Sequence, residues 1–100
     1  MCGIYGITAK DPEFIQKYIN TCKHRGPDGF KVWWDPDNTI TLGHNLLSIM
    51  ANPKLSIQPW KTPKGNTLVY NGEIFNYYEL KKKYNGKGFA GITGCDTELL

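Results

Sequence analysis

The sequence predicts an α+β fold with mostly antiparallel pairing, and three observations carry that expectation. Residues 3–8, Gly3-Ile4-Tyr5-Gly6-Ile7-Thr8, alternate small with β-branched or aromatic types, the period-two signature of a strand that begins almost at the first residue. Phe14, Ile15, Tyr18, Ile19 and Cys22 recur at helical spacing behind an Asp11-Pro12 start signal. Strands then precede, flank and follow helices without a βαβ rhythm, which favours antiparallel over parallel sheet.

Taken in order, each element has a local reason. The first strand places Cys2 at a strand end. Asp11 is the expected N-cap, and Pro12 suits the first helical position because its φ is already helical and its missing N–H would have no partner there. Cys22, on the apolar stripe, is expected as a core thiol. His24-Arg25-Gly26-Pro27-Asp28-Gly29 breaks the helix with turn chemistry. Residues 30–34 and 39–43 read as a hairpin joined by Asp35-Pro36-Asp37-Asn38, with 45–50 continuing as strand. Residues 51–66 carry four prolines and glycines and read as a long excursion, a length more often functional than idle. A short strand over 67–70 leads into a turn at Asn71-Gly72. Residues 74–81 read as a helix with a mixed aromatic face, ended by the Lys81-Lys82-Lys83 run. Residues 85–94 read as glycine-rich loop, and 95–100 as the opening turn of a helix with an acid where the helix dipole favours one.

Composition bounds the function. A chain of 100 residues with 40% hydrophobic and 21% charged residues suits one compact domain that buries roughly 60–70% of its unfolded surface. Apolar runs last only a few residues, far short of the roughly 20 a bilayer-crossing helix needs, and no signal-peptide apolar region forms before Lys10-Asp11-Pro12. A cytoplasmic protein without a membrane partner is the expectation. Twelve basic against nine acidic side chains, a net charge of +3, are spread too evenly to indicate nucleic acid. Eleven of the twelve basic residues are Lys, and Arg25 is the only Arg. Cys2, Cys22 and Cys95 contain no C-x-x-C pair, so neither a disulfide framework nor a zinc site is suggested.

Four residues or motifs carry chemistry, each with a plainer reading beside it. Free cysteine usually behaves as a small buried hydrophobe, but removal of Met1 would make Cys2 the N-terminal residue, with a thiol and an α-amine on one residue. The α-amine has an unperturbed pKa of about 7.7–8.0, so near pH 7 an appreciable fraction is free to accept the thiol proton. Asn71-Gly72 is a common tight-turn sequence, and the same turn offers a primary amide and a backbone N–H to a developing oxyanion. Arg25 serves equally to tie a surface loop, and Asp96 to cap a helix.

Four separated segments together resemble the class II glutamine amidotransferase domain, in the form found in glutamine-hydrolysing asparagine synthase. They are Met1-Cys2-Gly3-Ile4-Tyr5-Gly6, His24-Arg25-Gly26-Pro27-Asp28-Gly29, Tyr70-Asn71-Gly72-Glu73-Ile74-Phe75-Asn76 and Gly94-Cys95-Asp96-Thr97-Glu98. Smaller echoes lie at Gly43-His44, Leu47-Ser48-Ile49 and Gln58-Pro59-Trp60. The resemblance implies an N-terminal-nucleophile hydrolase fold, a four-layer αββα sandwich of which residues 1–100 would be the first part, cut short at the C-terminus. It implies a Cys2 nucleophile, an oxyanion site at Asn71 and Gly72, and Arg25 close to the nucleophile. Glu73 and Asp96 would lie near the substrate ammonium, with Ile49 at the substrate site. L-Glutamine would be the substrate, and a synthase domain or subunit, using ATP and Mg that this chain does not itself bind, would receive the ammonia.

One position departs from the family pattern. The family carries His-x-Arg-Leu-Ser-Ile, whose arginine grips the substrate α-carboxylate, whereas this chain reads His44-Asn45-Leu46-Leu47-Ser48-Ile49. Lys54 is the substitute cation considered in the 51–66 segment. Leu46 and the short length motivate an alternative, a truncated or impaired amidotransferase-like domain with a partner-binding role. A binding module built on Trp33, Trp34 and Trp60 is the third reading.

Overall fold

The computed structural model describes residues 2–49, 52–87 and 93–100 as a small α+β unit with two antiparallel sheets. The larger sheet has the order β1-β3-β2, where β1 is Gly3–Ile7, β2 is Gly29–Trp34 and β3 is Thr41–Leu46. Gly3 pairs with Asn45 and Ile7 with Thr41 on one side of β3, while Gly29 pairs with Leu46 and Trp34 with Thr41 on the other. The hairpin expected over residues 30–43 therefore forms. Its Asp35 carboxylate accepts the Thr39 and Ile40 N–H groups, each at 2.7 Å, and Asn38 takes the left-handed conformation that Asn tolerates.

Helix α1, Pro12–Thr21, begins as expected: Asp11 Oδ1 accepts the Phe14 N–H at 2.9 Å. The helix packs across the sheet through Ile15 and Ile19, both fully buried. It comes close enough that a Cβ at Gly43 would lie 2.4 Å from Ile15 Cγ2. Thr41, also buried, donates to Ala9 O at 2.6 Å and accepts the Asp11 N–H at 3.0 Å, fixing the turn from β1 into α1. Phe14 and Tyr18, expected on the buried stripe, stack on each other at 4.9 Å and remain half exposed. Cys22 is only half-buried at the helix end, so the core-thiol expectation is corrected.

Residues 52–66, within the segment expected as a long excursion, hold more structure than a loop. Asn52 caps a one-turn helix, α2 (Pro53–Ser56), by accepting the Lys54 N–H at 2.9 Å. Strand β4 (Trp60–Lys61) then pairs with β5 (Thr67–Leu68) around a turn in which Gly65 has φ +88°. The strand expected over 67–70 is shorter because the Tyr70 N–H bonds the Gln58 side chain instead of a neighbouring strand.

Helix α3 runs from Tyr77 to Tyr84, starting later than expected, and the Ile74 N–H ahead of it donates to Asp96 Oδ2 at 2.9 Å. The Lys81-Lys82-Lys83 run does not end the helix but forms its last turn, where the dipole favours cations. A short 3₁₀ helix, Asp96–Leu99, packs against α3. Part of the glycine-rich segment expected over 85–94, namely 88–92, lies outside the described residues, as does Met50.

Candidate functional site

Cys2 stands at the head of β1, and the β1–β3 register brings its side chain to the chain leaving β3. There Sγ accepts the Leu47 N–H at 3.3 Å and lies 3.7 Å from Leu47 O, to which the thiol can donate. The segment that receives it is braced from behind by the 3₁₀ turn Lys23–Arg25 and the residues after it. Asp28 N–H donates to Leu46 O at 2.9 Å, and Asp28 Oδ2 accepts the Ser48 N–H at 2.7 Å. Gly26 lies flat on the backbone of β3: a Cβ there would sit 2.6 Å from Asn45 C and 2.7 Å from Leu46 C. The His24-Arg25-Gly26-Pro27-Asp28-Gly29 motif thus folds as a clamp on residues 45–48.

A cavity of about 310 Å³ opens beside Cys2. Leu46, Leu47, Ser48 and Ile49 form one wall; Tyr70, Asn71, Gly72, Glu73 and Phe75 form another; Cys95, Asp96 and Thr97 close a third side. The structure therefore brings Cys2, Ile49, Asn71, Gly72, Glu73 and Asp96 to a single cavity. Arg25 is not among the lining residues. It is exposed on the 3₁₀ turn, where its charge acts on Tyr5. Lys54 is exposed on α2 and also lies outside the lining. Leu46, only 4% exposed, is part of the wall.

The second wall is held by side chains to which sequence reasoning assigned no role. The Gln58 carboxamide is buried, accepts the Tyr70 N–H through Oε1 and donates through Nε2 to Thr97 Oγ1 at 3.2 Å. Its backbone N–H donates to His44 Nδ1 at 3.4 Å. One residue thereby ties β3, the turn before Asn71 and the 3₁₀ helix together. Its signal was the Gln58-Pro59-Trp60 echo of the family pattern, in a segment otherwise read as a long excursion. Asp96, buried at 8% exposure, holds the Ile74 N–H through one oxygen while the other faces Cys95 Sγ at 3.7 Å. Cys95 is thus a second thiol in the cavity, also donating to Thr97 Oγ1 at 3.4 Å.

The electrostatics are one-sided. Burial, then the negative charges of Asp96 and Glu73, push the Tyr70 hydroxyl above its usual pKa. Burial alone holds His44 neutral, its pKa lowered to about 4. Among the described residues no group of three or more His, Cys, Asp or Glu side chains could hold a metal ion, and no helix is long and apolar enough to cross a membrane. Trp33 and Trp34, two of the three residues of the third reading, are adjacent on β2 and point to opposite faces of the sheet.

Comparison with known proteins identifies the family of this chain. The profile of the glutamine amidotransferase domain matches residues 1–100. The chain is 36% identical over 121 residues to a Methanocaldococcus jannaschii protein named "putative asparagine synthetase 2 (glutamine-hydrolysing)", covering all of this chain and 23% of that protein. It is 32% identical over 112 residues to asparagine synthetase (glutamine-hydrolysing) 1 of Bacillus subtilis and 31% identical over 107 residues to asparagine synthetase B of Escherichia coli. These matches cover all of this chain and 17% and 19% of the two relatives. The chain spans about a fifth of the length of these curated relatives. A family match over residues 1–100, in a chain whose Cys2 and Asn71-Gly72 turn line one cavity, makes this chain a member of the class II glutamine amidotransferases.

Proposed function

We propose that this chain is the glutamine-hydrolysing part of an asparagine synthase-like enzyme, with Cys2 as its nucleophile. The observation that carries the reading is the convergence of Cys2, Asn71, Gly72, Glu73 and Asp96 on a single cavity. Once Met1 is removed, the Cys2 α-amine takes the thiol proton as Sγ bonds to the carboxamide carbon. The carbonyl oxygen gains negative charge and is met by the Asn71 side chain and the Gly72 N–H, donors worth about 10²–10³ each in turnover. The C–N bond then breaks, the proton leaves with ammonia, and a thioester remains on Cys2. Water attacks that thioester, releasing glutamate and restoring the thiol.

Glu73 and Asp96 supply the negative charge that an amino group needs, and Ile49 and Leu47 offer an apolar wall to the methylene chain. Arg25, outside the cavity, acts through the clamp on residues 45–48. The ammonia would pass to a synthase domain or subunit for transfer to aspartate, where ATP and Mg would be used; this chain needs neither. The α+β composition with antiparallel sheets is consistent with the first part of an αββα sandwich. Three free thiols suit the reducing cytoplasm. Leu46 favours a second reading, an impaired domain retained for binding a partner.

The test is ammonia and glutamate release from L-glutamine by Met1-processed protein and by its Cys2→Ala variant. Release by the former and loss of at least about 10³-fold in the latter is expected. Equal release from both rejects the nucleophile assignment, and release from neither favours the impaired domain.

A further inference from the structure

Resting on the amidotransferase reading above, we propose that Gln58 is a positioning residue that fixes the reach from the Cys2 thiol to the oxyanion donors Asn71 and Gly72. Nucleophile and donors belong to separate pieces of the chain. Cys2 is seated just past the end of β3, where Sγ accepts the Leu47 N–H at 3.3 Å. Asn71 and Gly72 follow β5, in a segment whose flanking N–H groups are both taken by distant side chains. The Tyr70 N–H goes to Gln58 Oε1, and the Ile74 N–H to Asp96 Oδ2 at 2.9 Å.

Gln58 bridges the two pieces. Its backbone N–H donates to His44 Nδ1 at 3.4 Å, on the strand that leads to the Cys2 seat, while its carboxamide reaches the turn that carries the donors. Because the Tyr70 N–H can only donate, the carboxamide must present its oxygen there, which leaves Nε2 to donate to Thr97 Oγ1 at 3.2 Å. Thr97 adjoins Asp96, so both anchors of the 70–74 segment lead to the same 3₁₀ helix. The Gln58 side chain is only 4% exposed and both ends of its amide have protein partners, so it acts on the substrate through the turn it holds. Misplacing a reacting or stabilising group by about 1 Å can cost on the order of 10²-fold in turnover. Without Gln58, Asp96 still anchors the Glu73 end of the segment, so substrate binding survives while the oxyanion end slips. The loss therefore falls on kcat rather than on KM.

Turnover and thiol reactivity are measured side by side on Met1-processed protein. In Gln58→Met, which keeps the chain length but neither side-chain hydrogen bond, kcat for L-glutamine should fall about 10²-fold with KM within about threefold of the parent. Thr97→Val, which removes only the partner of Nε2, should cost about tenfold in kcat, and Thr97→Ser, which keeps the hydroxyl, should match the parent. Alkylation of Cys2 by iodoacetamide, mapped on the N-terminal peptide, is a displacement at saturated carbon that builds no oxyanion. Its rate should be the same in the parent and every variant. An unchanged kcat in Gln58→Met overturns the proposal, and so does a parallel fall in kcat and alkylation, the mark of a general loss of structure. If Gln58→Met does not fold, equal kcat in Thr97→Val and Thr97→Ser overturns it. A parent protein that releases no ammonia from glutamine rejects the amidotransferase reading and the positioning role with it. A parent that turns over while its variants match it rejects the positioning role alone.

Discussion

His44 shows how one side chain can serve the site without touching it. It is fully buried on β3, two residues before Leu46, with Nδ1 accepting the Gln58 N–H and Nε2 without a hydrogen-bond partner among the described residues. Because Nδ1 accepts, the imidazole must be neutral, and burial lowers its pKa to about 4 from an ordinary 6.5. Between those values the unfolded chain binds a proton that the folded chain refuses. Stability from this residue is therefore complete above about pH 6.5 and is lost as pH falls to about 4, by on the order of 3 kcal/mol. Thermal unfolding across that range should show a falling Tm that flattens in His44→Gln; an unchanged slope in the variant would place the acid sensitivity elsewhere. The Gly43-His44 pair was visible in the sequence as a family echo. The burial that neutralises His44 was not, because it depends on the 52–70 segment returning to cover that face of β3.

At the level of elements, the clamp made by residues 24–29 is the least obvious construction. Its glycines and proline announce a turn, but not that the turn lies against β3 with Asp28 bonded to Leu46 O and Ser48 N. Gly26→Ala would push a methyl group into the Asn45 and Leu46 backbone, which cannot rotate away as a side-chain tip can. A cost of about 1–3 kcal/mol is expected, lowering Tm by about 4–8 °C per kcal/mol at this chain length, with Cys2 less well seated on Leu47. A Gly26→Ala protein with unchanged Tm would deny the clamp. Local signals were read well where the chain decides locally: the Asp11 cap, the Asp35 turn and the alternation in β1. They failed where a distant partner intervenes. Gln58 shortens β5 by capturing the Tyr70 N–H. The Asn52-Pro53 start of α2 carries the same signal as Asp11-Pro12, and the surrounding prolines and glycines hid it.

Over the whole molecule, two sheets and the segments between them bring residues separated by as many as 95 positions, Cys2 and Thr97, to one cavity. The motifs foretold that six of the proposed site residues belong together; the geometry adds Tyr70, Gln58 and Thr97 as their supports and sets Arg25 apart. It also introduces a rival, since Cys95 lines the same cavity as Cys2. The most direct test of the account is therefore to locate the acyl group. Met1-processed protein is mixed with L-glutamine, quenched in acid during turnover, digested and mapped by mass spectrometry. The account predicts a thioester on the N-terminal Cys2 peptide, absent when Met1 is retained. An acyl group on Cys95 or Cys22, or ammonia released at full rate while Met1 still blocks Cys2, would contradict it.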